Sequence, residues 1–361
     1  MARDRILILV ELKGGNDGLN TLVPYADPLY RTLRPGIGLS REQVVPLDER
    51  LALHGKLEPL MASWQAKDLA IVQGLGYPYP NRSHVRSIEI WDTASASNQT
   101  LSEGWIAQAF KDVPRPAGPG VKGIVVDTNA LPMVGPGLRT VVMQDAESFL
   151  RQASQLKPME RERAGANPAL RHVLGIQAEV NQAAVGLRDR LSAGASPAES
   201  YAQEGTLGRQ LDLATRLVLA QTPVRAIKVA IGSFDTHANQ LQTHDRLLGQ
   251  LGQGLATLRR NLIAAGRWND VLVATYSEFG RRARQNASGG TDHGTAAPHF
   301  VMGGGVKGGL QGTTPSLADL QEGDLKHTLD FRAYFASLAR AAWSLERDFG
   351  LRQPTRLDLI A

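Results

Sequence analysis

The sequence predicts a single α/β domain, residues 1–361, arranged as a three-layer sandwich around a mostly parallel central sheet. Three observations predict it: short aliphatic and β-branched runs, helix-period segments between them, and Gly-rich polar loops directly after the runs. The runs are Ile6 to Leu12, Leu69 to Gln73, Gly123 to Asp127, Val224 to Ile231, Asp270 to Tyr276 and Phe300 to Met302. Most are continuously apolar, as parallel strands covered on both faces are. The clearest helix carries Leu241, His244, Leu248, Leu251, Leu255, Leu258 and Leu262, whose steps of three and four draw one stripe. Pro168 to Leu191 and Leu207 to Ala220 also read as helices, joined by SAGASPAES; they form a helical insertion over roughly 168–220. Pro and Gly gather in Val113 to Gly123 and Gly303 to Gly312, marking surface loops.

Composition removes several classes of function. Hydrophobic residues make up 42% and charged residues 21%, which places the chain among folded globular proteins and away from disordered ones. No apolar run approaches the length of a membrane span; the longest, Ile6 to Val10, is strand-sized. Forty Lys+Arg against 35 Asp+Glu gives +5, with the basic residues scattered along the sequence, so a nucleic-acid partner is not expected and a small anionic ester is. There is no cysteine, which excludes disulfides, thiolate metal sites and thiol catalysis. Any metal must sit on His, Asp and Glu. The start, MARDRILILV, lacks the features of a secretory leader.

In a mostly parallel sheet, sites lie beyond the carboxyl ends of the strands, and the loops there carry the polar residues of interest. GGNDGLN follows the first run with Asn16 and Asp17; GSFDTHANQLQTH follows Val224 to Ile231 with Asp235, His237 and His244. SEFGRR follows Asp270 to Tyr276 with Glu278 and Arg281, and GTDHGTAAPH adds Asp292, His293 and His299. Oxygen and imidazole donors of this kind suit Zn²⁺ or Mn²⁺ first, with Mg²⁺ or Ca²⁺ as alternatives. Each loop also has a bland reading: GGNDG as a turn, Asp235 as a helix cap, His244 as a core histidine on its apolar stripe, SEFGRR as a strand end with solvated arginines. One metal site at the sheet edge explains all four loops at once. In the loop after Leu69 to Gln73, Pro78 and Pro80 keep the chain extended and a helix starts after Asn81, putting Ser83 near a positive helix end beside Arg82 and His84. Ser83 there is either a metal-activated nucleophile or an ordinary cap.

Taken in order, LKGGNDGLNTLVPY, VQGLGYPYPNRSHVRSIEIWDTA, GSFDTHANQ, TYSEFGRRARQNASGGTDHGTA and PSLADLQEGDLKHTLDFRAYFA resemble the bacterial DUF1501 family over nearly the whole chain. That resemblance implies an alkaline-phosphatase-like and sulfatase-like fold, a periplasmic or exported location, and two divalent metals held by residues from successive strand ends. No twin-arginine leader of the kind family members carry is visible here. One metal would take Asp235, His237 and His293, with His244 in reserve. In the motif where an Asp-His pair is expected this chain has Glu278 and Phe279, so a second metal is left with Asp17, Glu278 and Asp292. The centre then holds one metal, a weaker second one, or none. Sulfatases of that superfamily use a C/S-x-P-x-R motif, and PYPNRS in its place disfavours a formylglycine sulfatase.

The leading expectation is a metal-dependent hydrolase or transferase of phosphate or sulfate esters. Ser83 would be the nucleophile, Arg281 the catalytic anion clamp, and Asn16, Arg82, His84 and His244 substrate-binding. The competing expectation is a catalytically degenerate anion-binding protein of the same fold, motivated by Phe279. A structural export-linked protein, and an Asp235–His237 acid–base pair serving Ser83 without metal, are weaker alternatives. Oligomeric state is not readable from the chain.

Overall fold

A computed structural model describes residues 4–114, 122–155, 167–201 and 204–361. Most of the loop expected at Val113 to Gly123 lies outside the described residues. In chain order the strands are β1 (Ile6–Leu12), β2 (Leu22–Val23), β3 (Val44–Pro46), β4 (Ala52–His54), β5 (Leu69–Gly76), β6 (Gly123–Val125), β7 (Thr140–Val142), β8 (Ala226–Ile231), β9 (Val271–Tyr276), β10 (Ala297–Met302), β11 (Gly309–Gln311), β12 (Leu320–Gln321), β13 (Asp324–Leu325) and β14 (Leu329–Asp330). The helices are α1 (Pro28–Leu33), α2 (Met61–Gln65), α3 (His84–Thr93), α4 (Trp105–Ala109), α5 (Ala146–Gln155), α6 (Pro168–Ala193), α7 (Gly205–Leu219), α8 (Gln240–Ala264) and α9 (Phe331–Trp343).

Among the described residues nine strands make one sheet in the order β11-β5-β10-β9-β1-β8-β6-β7, with β14 also paired to β5. β1 runs parallel to both neighbours, Val10 lying opposite Val229 of β8 and Thr275 of β9. Only β10 is reversed, antiparallel to β5 and to β9. Its first residues therefore lie at the edge where the other strands end. That direction matters for the site, because the residues just before β10 join those that follow the other strands.

The strands divide their side chains between two cores, as a period of two requires. Ile6, Ile8, Val10 and Leu12 of β1 pack with Leu211 and Leu217 of α7 and with Leu248, Leu251 and Leu255 of α8. Leu7 and Leu9 pack on the opposite face with Trp91 of α3, Trp105 of α4 and Phe335 of α9. Helices thus cover both faces, which is why these strands read as continuous apolar runs. The α8 stripe forms as its spacing predicts, and α7, read within a helical insertion, packs against the sheet through Leu211, Ala214 and Leu217. Among the described residues no helix is long and apolar enough to cross a membrane.

Two strands bury charge. Lys228 Nζ of β8 donates to Glu11 of β1 at 2.5 Å and to Asp127 at 2.8 Å, and its side chain is fully buried. The ammonium is tolerated inside because both carboxylates meet it; Glu11 depends on it in return, while Asp127 is also met by Lys13 at 2.7 Å. Replacing it with a group of similar length and no charge, Lys228→Met, leaves Glu11 without its partner. The expected loss is about 3–5 kcal/mol of stability, read as a lower urea midpoint at unchanged slope.

Candidate metal centre

At the carboxyl edge, β1, β8 and β9 end in loops that lie against one another, and two close approaches demand glycine. A Cβ on Gly14 would sit 2.4 Å from the Asp235 nitrogen, and one on Gly15 would sit 2.3 Å from the Phe279 ring; both residues have positive φ. The loops are joined by Arg281, 1% exposed. Its Nε donates to the Gly15 carbonyl at 2.7 Å, Nη1 to that of Thr291 at 2.8 Å, and Nη2 to the carbonyls of Gly14 and Phe234 and to Asp235 Oδ1, the last at 2.6 Å.

Asp235 is the hub. His237 Nε2 lies 3.0 Å and His293 Nε2 3.2 Å from its Oδ1, while His84 Nε2 lies 3.3 Å from its Oδ2. The two imidazole nitrogens of His237 and His293 are 3.0 Å apart. Each ring is held from behind through Nδ1: His84 donates to Glu278 at 2.8 Å, His293 to the Arg82 carbonyl at 2.7 Å, and His237 to Asp292 at 3.3 Å. A ring nitrogen that donates in this way leaves the other as a lone pair. With the rings in their neutral forms, three Nε2 lone pairs and a carboxylate thus face one another, and among the described residues Arg281 is the donor that stands beside them. His84 Nε2 is buried without a hydrogen bond.

Separations of 3.0–3.3 Å are close to the edge, about 3.3 Å, of a tetrahedron of ligands around a metal at 2.0–2.1 Å. His84, Asp235 and His293 offer atoms that all lie within 4.8 Å of one another, and His237 adjoins this set through Asp235 and His293. Nδ1 bonds to carboxylates or carbonyls are the usual support of metal-bound histidine. The residues present thus fit a divalent ion. Burial raises the Asp235 carboxyl, but Arg281, His293 and His237 outweigh it and hold it at about 2. The Glu278 hydrogen bond raises His84 above the usual histidine range. The side chains of Asp235 and His237 are both 45% exposed, so the centre opens to solvent.

Several expected site residues stand elsewhere. Asp17 is fully buried and does not reach the cluster: both its oxygens are taken by Arg34, at 2.5 and 2.9 Å, and Gln240 donates to it as well. Against the burial that raises it, Arg34 holds the Asp17 carboxyl below its ordinary value. Glu278 lies one layer behind, accepting from the Gly14 N–H at 2.9 and 3.1 Å and from His84. Asp292 supports His237 and accepts from Asn286 at 3.1 Å. Asp17, Glu278 and Asp292 do not converge, and the Phe279 ring fills the space beside His84 and His293 at centroid distances of 4.9 and 4.6 Å. Arg281 is no anion clamp, because its nitrogens are spent on the chain itself. Asn16 and His244 are buried and bonded to each other at 2.9 Å, beneath the site, so neither is placed to touch a substrate. His244 is the core histidine its stripe allowed. Asp235 caps no helix, since α8 starts at Gln240 after Asn239.

Ser83 does begin α3 as its N-cap, is exposed, and makes no side-chain cap bond. Arg82 pairs with Asp324 and, at 3.8 Å, with Glu322. His84, expected only to bind substrate, instead faces Asp235. The signal was present in its place in a post-strand loop, but nothing in the sequence showed that Glu278 would hold its ring. Arg34 and Asn286 carried no local signal.

A family profile described as "Protein of unknown function (DUF1501)" matches residues 51–340. No curated protein matches the chain. Among solved structures, a protein in the alkaline phosphatase superfamily from Vibrio parahaemolyticus is 10% identical, with 98% of this chain and 71% of that chain covered at a TM-score of 0.43. The C-terminal periplasmic domain of EcEptC from Escherichia coli is 8% identical, covering 100% and 93% at 0.43. Alkaline phosphatase from the Antarctic bacterium TAB5 is 9% identical, covering 86% and 95% at 0.36.

Two outcomes are expected. Arg281→Ala strips five acceptors of their donor and costs at least about 3–5 kcal/mol, measured by urea unfolding, whereas loss of a surface anion clamp would leave stability nearly unchanged. Burial depresses His244 and His299 to about 3. Between that value and the unfolded value of about 6.5, the unfolded chain takes up protons that the folded chain refuses. Their contribution is therefore whole above pH about 6.5 and falls as pH drops toward about 3, by up to about 1.4 kcal/mol per pH unit for each histidine. His244→Gln should flatten the fall in stability measured between pH 8 and pH 5.

Proposed function

Because the chain belongs to the DUF1501 family, whose function is unknown, we propose from its own geometry that it is a metal-dependent hydrolase or transferase of phosphate or sulfate esters. One divalent ion would be held by His84, Asp235 and His293, with His237 beside them. The observation that carries this reading is the convergence of three Nε2 lone pairs on one carboxylate while every Nδ1 is tied from behind. Three nitrogens and an oxygen favour Zn²⁺ or Mn²⁺ over Mg²⁺ or Ca²⁺.

A divalent ion at this centre supplies Lewis acidity toward the anionic oxygens of an ester. The chain supplies the rest. Glu278 fixes the His84 ring and Asp292 the His237 ring, so the nitrogens keep their aim. Arg82, paired with Asp324 and one third exposed, would turn its guanidinium to the ester's charge. Ser83, exposed and without a cap bond, offers the hydroxyl to attack it. An exported location fits a chain without cysteine, which loses nothing in an oxidising compartment.

Phe279 favours a second reading, an anion-binding protein of the same fold without turnover, since its ring packs against His84 and His293 and offers no ligand atom. Elemental analysis after purification without chelator or metal-binding tag is expected to give close to one Zn or Mn per chain. His84→Ala and His237→Ala should lose it, and Glu278→Gln should bind it roughly 10–100-fold more weakly. Turnover of aryl phosphate or sulfate by the loaded protein, abolished in Ser83→Ala, supports the enzyme. Metal and anion binding with no turnover of either ester class supports the second reading, and no metal after reconstitution overturns the centre.

A further inference from the structure

Four arginines of the closing stretch, Arg340, Arg347, Arg352 and Arg356, line one cleft. The end of α9 and the segment that folds back over it enclose a cleft of 410 Å³, walled by Arg340, Arg347, Arg352 and Arg356 together with Glu346 and Asp348. This lies far from the metal cluster. α9 begins beside Gly76, the last residue of β5, because Asp330 pairs with it there. Its 13 residues then climb about 20 Å to Trp343, whose Nε1–H donates to the carbonyl of Arg225, just before β8. The cleft is thus at the amino edge of the sheet, opposite the site already described.

Its charges are unequally engaged. Arg340 donates to the Leu357 carbonyl at 2.6 Å and Arg347 to that of Ala109 at 2.7 and 3.0 Å, so these two are held as fixed walls. The Asp348 carboxylate accepts from the Gly350 N–H at 2.9 Å. Glu346 meets Arg356 at 3.4 Å, both largely exposed. Arg352, also exposed, makes no hydrogen bond or ion pair among the described residues. Four guanidiniums against two carboxylates leave the cleft positive, and its volume is that of a small-ligand pocket. Guanidinium forks match the oxygens of phosphate in geometry as well as charge.

We propose that this cleft is a second oxyanion site, independent of the metal centre, that takes a compact phosphate-bearing group through Arg352 and Arg356. The group could be a free diphosphate or the headgroup of an anionic lipid, and the two are told apart by presenting each. Pyrophosphate titrated calorimetrically into the metal-free full chain is expected to bind. The affinity should fall at least about tenfold in a doubly substituted Arg352→Glu, Arg356→Glu chain and stay within twofold in His237→Ala. Both arginines are exposed, and an unchanged urea midpoint for the double variant confirms that its fold is intact; Arg352→Ala alone repeats the test with a milder change. Cosedimentation with phosphatidylglycerol vesicles but not phosphatidylcholine vesicles, lost in the double variant, assigns the headgroup; pyrophosphate binding without cosedimentation assigns the free anion. Absence of both kinds of binding, loss in His237→Ala equal to that in the double variant, or indifference to the arginine substitutions overturns the proposal.

Discussion

The guanidinium of Arg281 holds the carboxyl edge together. It comes from the loop after β9 and meets carbonyls from the loops after β1 and β8 and from the segment before β10, while its last hydrogen bond fixes Asp235. A buried charge of this kind is tolerable only when its donors are met. The requirement works in both directions: the loops must keep their shape to satisfy the arginine, and the arginine keeps them in it. The position of Asp235, and through it the facing of three imidazoles, follows from that mutual dependence.

Acidic residues that share one sheet edge have been given different work by what lies next to them. Asp17 is neutralised by Arg34 and closed off from solvent, Asp235 is left half-open, and Glu278 and Asp292 each stand behind a histidine. Residue type does not separate these roles. The nearest cation or ring nitrogen does, together with the depth at which each carboxylate lies.

Much of the fold was legible in the sequence for a plain reason. A strand buried on both faces has no polar side to show, so Ile6 to Leu12 and Asp270 to Tyr276 announce themselves, and α8 does so through its stripe. The direction of β10 was not legible, because an apolar run reads the same whichever way its neighbours point. The members of the site were legible as a pool, since Asp235, His237 and His293 sit where post-strand loops place them. Their partition was not: Asp17 and Arg34 are 17 residues apart and meet only in the folded chain, and the pairing of His84 with Glu278 spans 194 residues. Arg281 looked like a free cation because its partners are mostly backbone carbonyls, which leave no mark in a sequence.

The reversal of β10 ties together two places that otherwise have nothing in common. Just before its first residue the chain delivers His293 to the histidine–carboxylate cluster, and after its last the loop at Gly303 turns to meet the closing segment, with Val306 bridged to Ile360 and the Lys307 N–H donating to Leu359. That closing segment also carries Arg356. One strand of six residues, about 20 Å of extended chain, therefore acts as a ruler laid across the domain. Loss of a single residue from it would turn its side chains to the wrong faces and displace the fittings at both ends together, so the two edges of the sheet inherit their spacing from the same short stretch of chain.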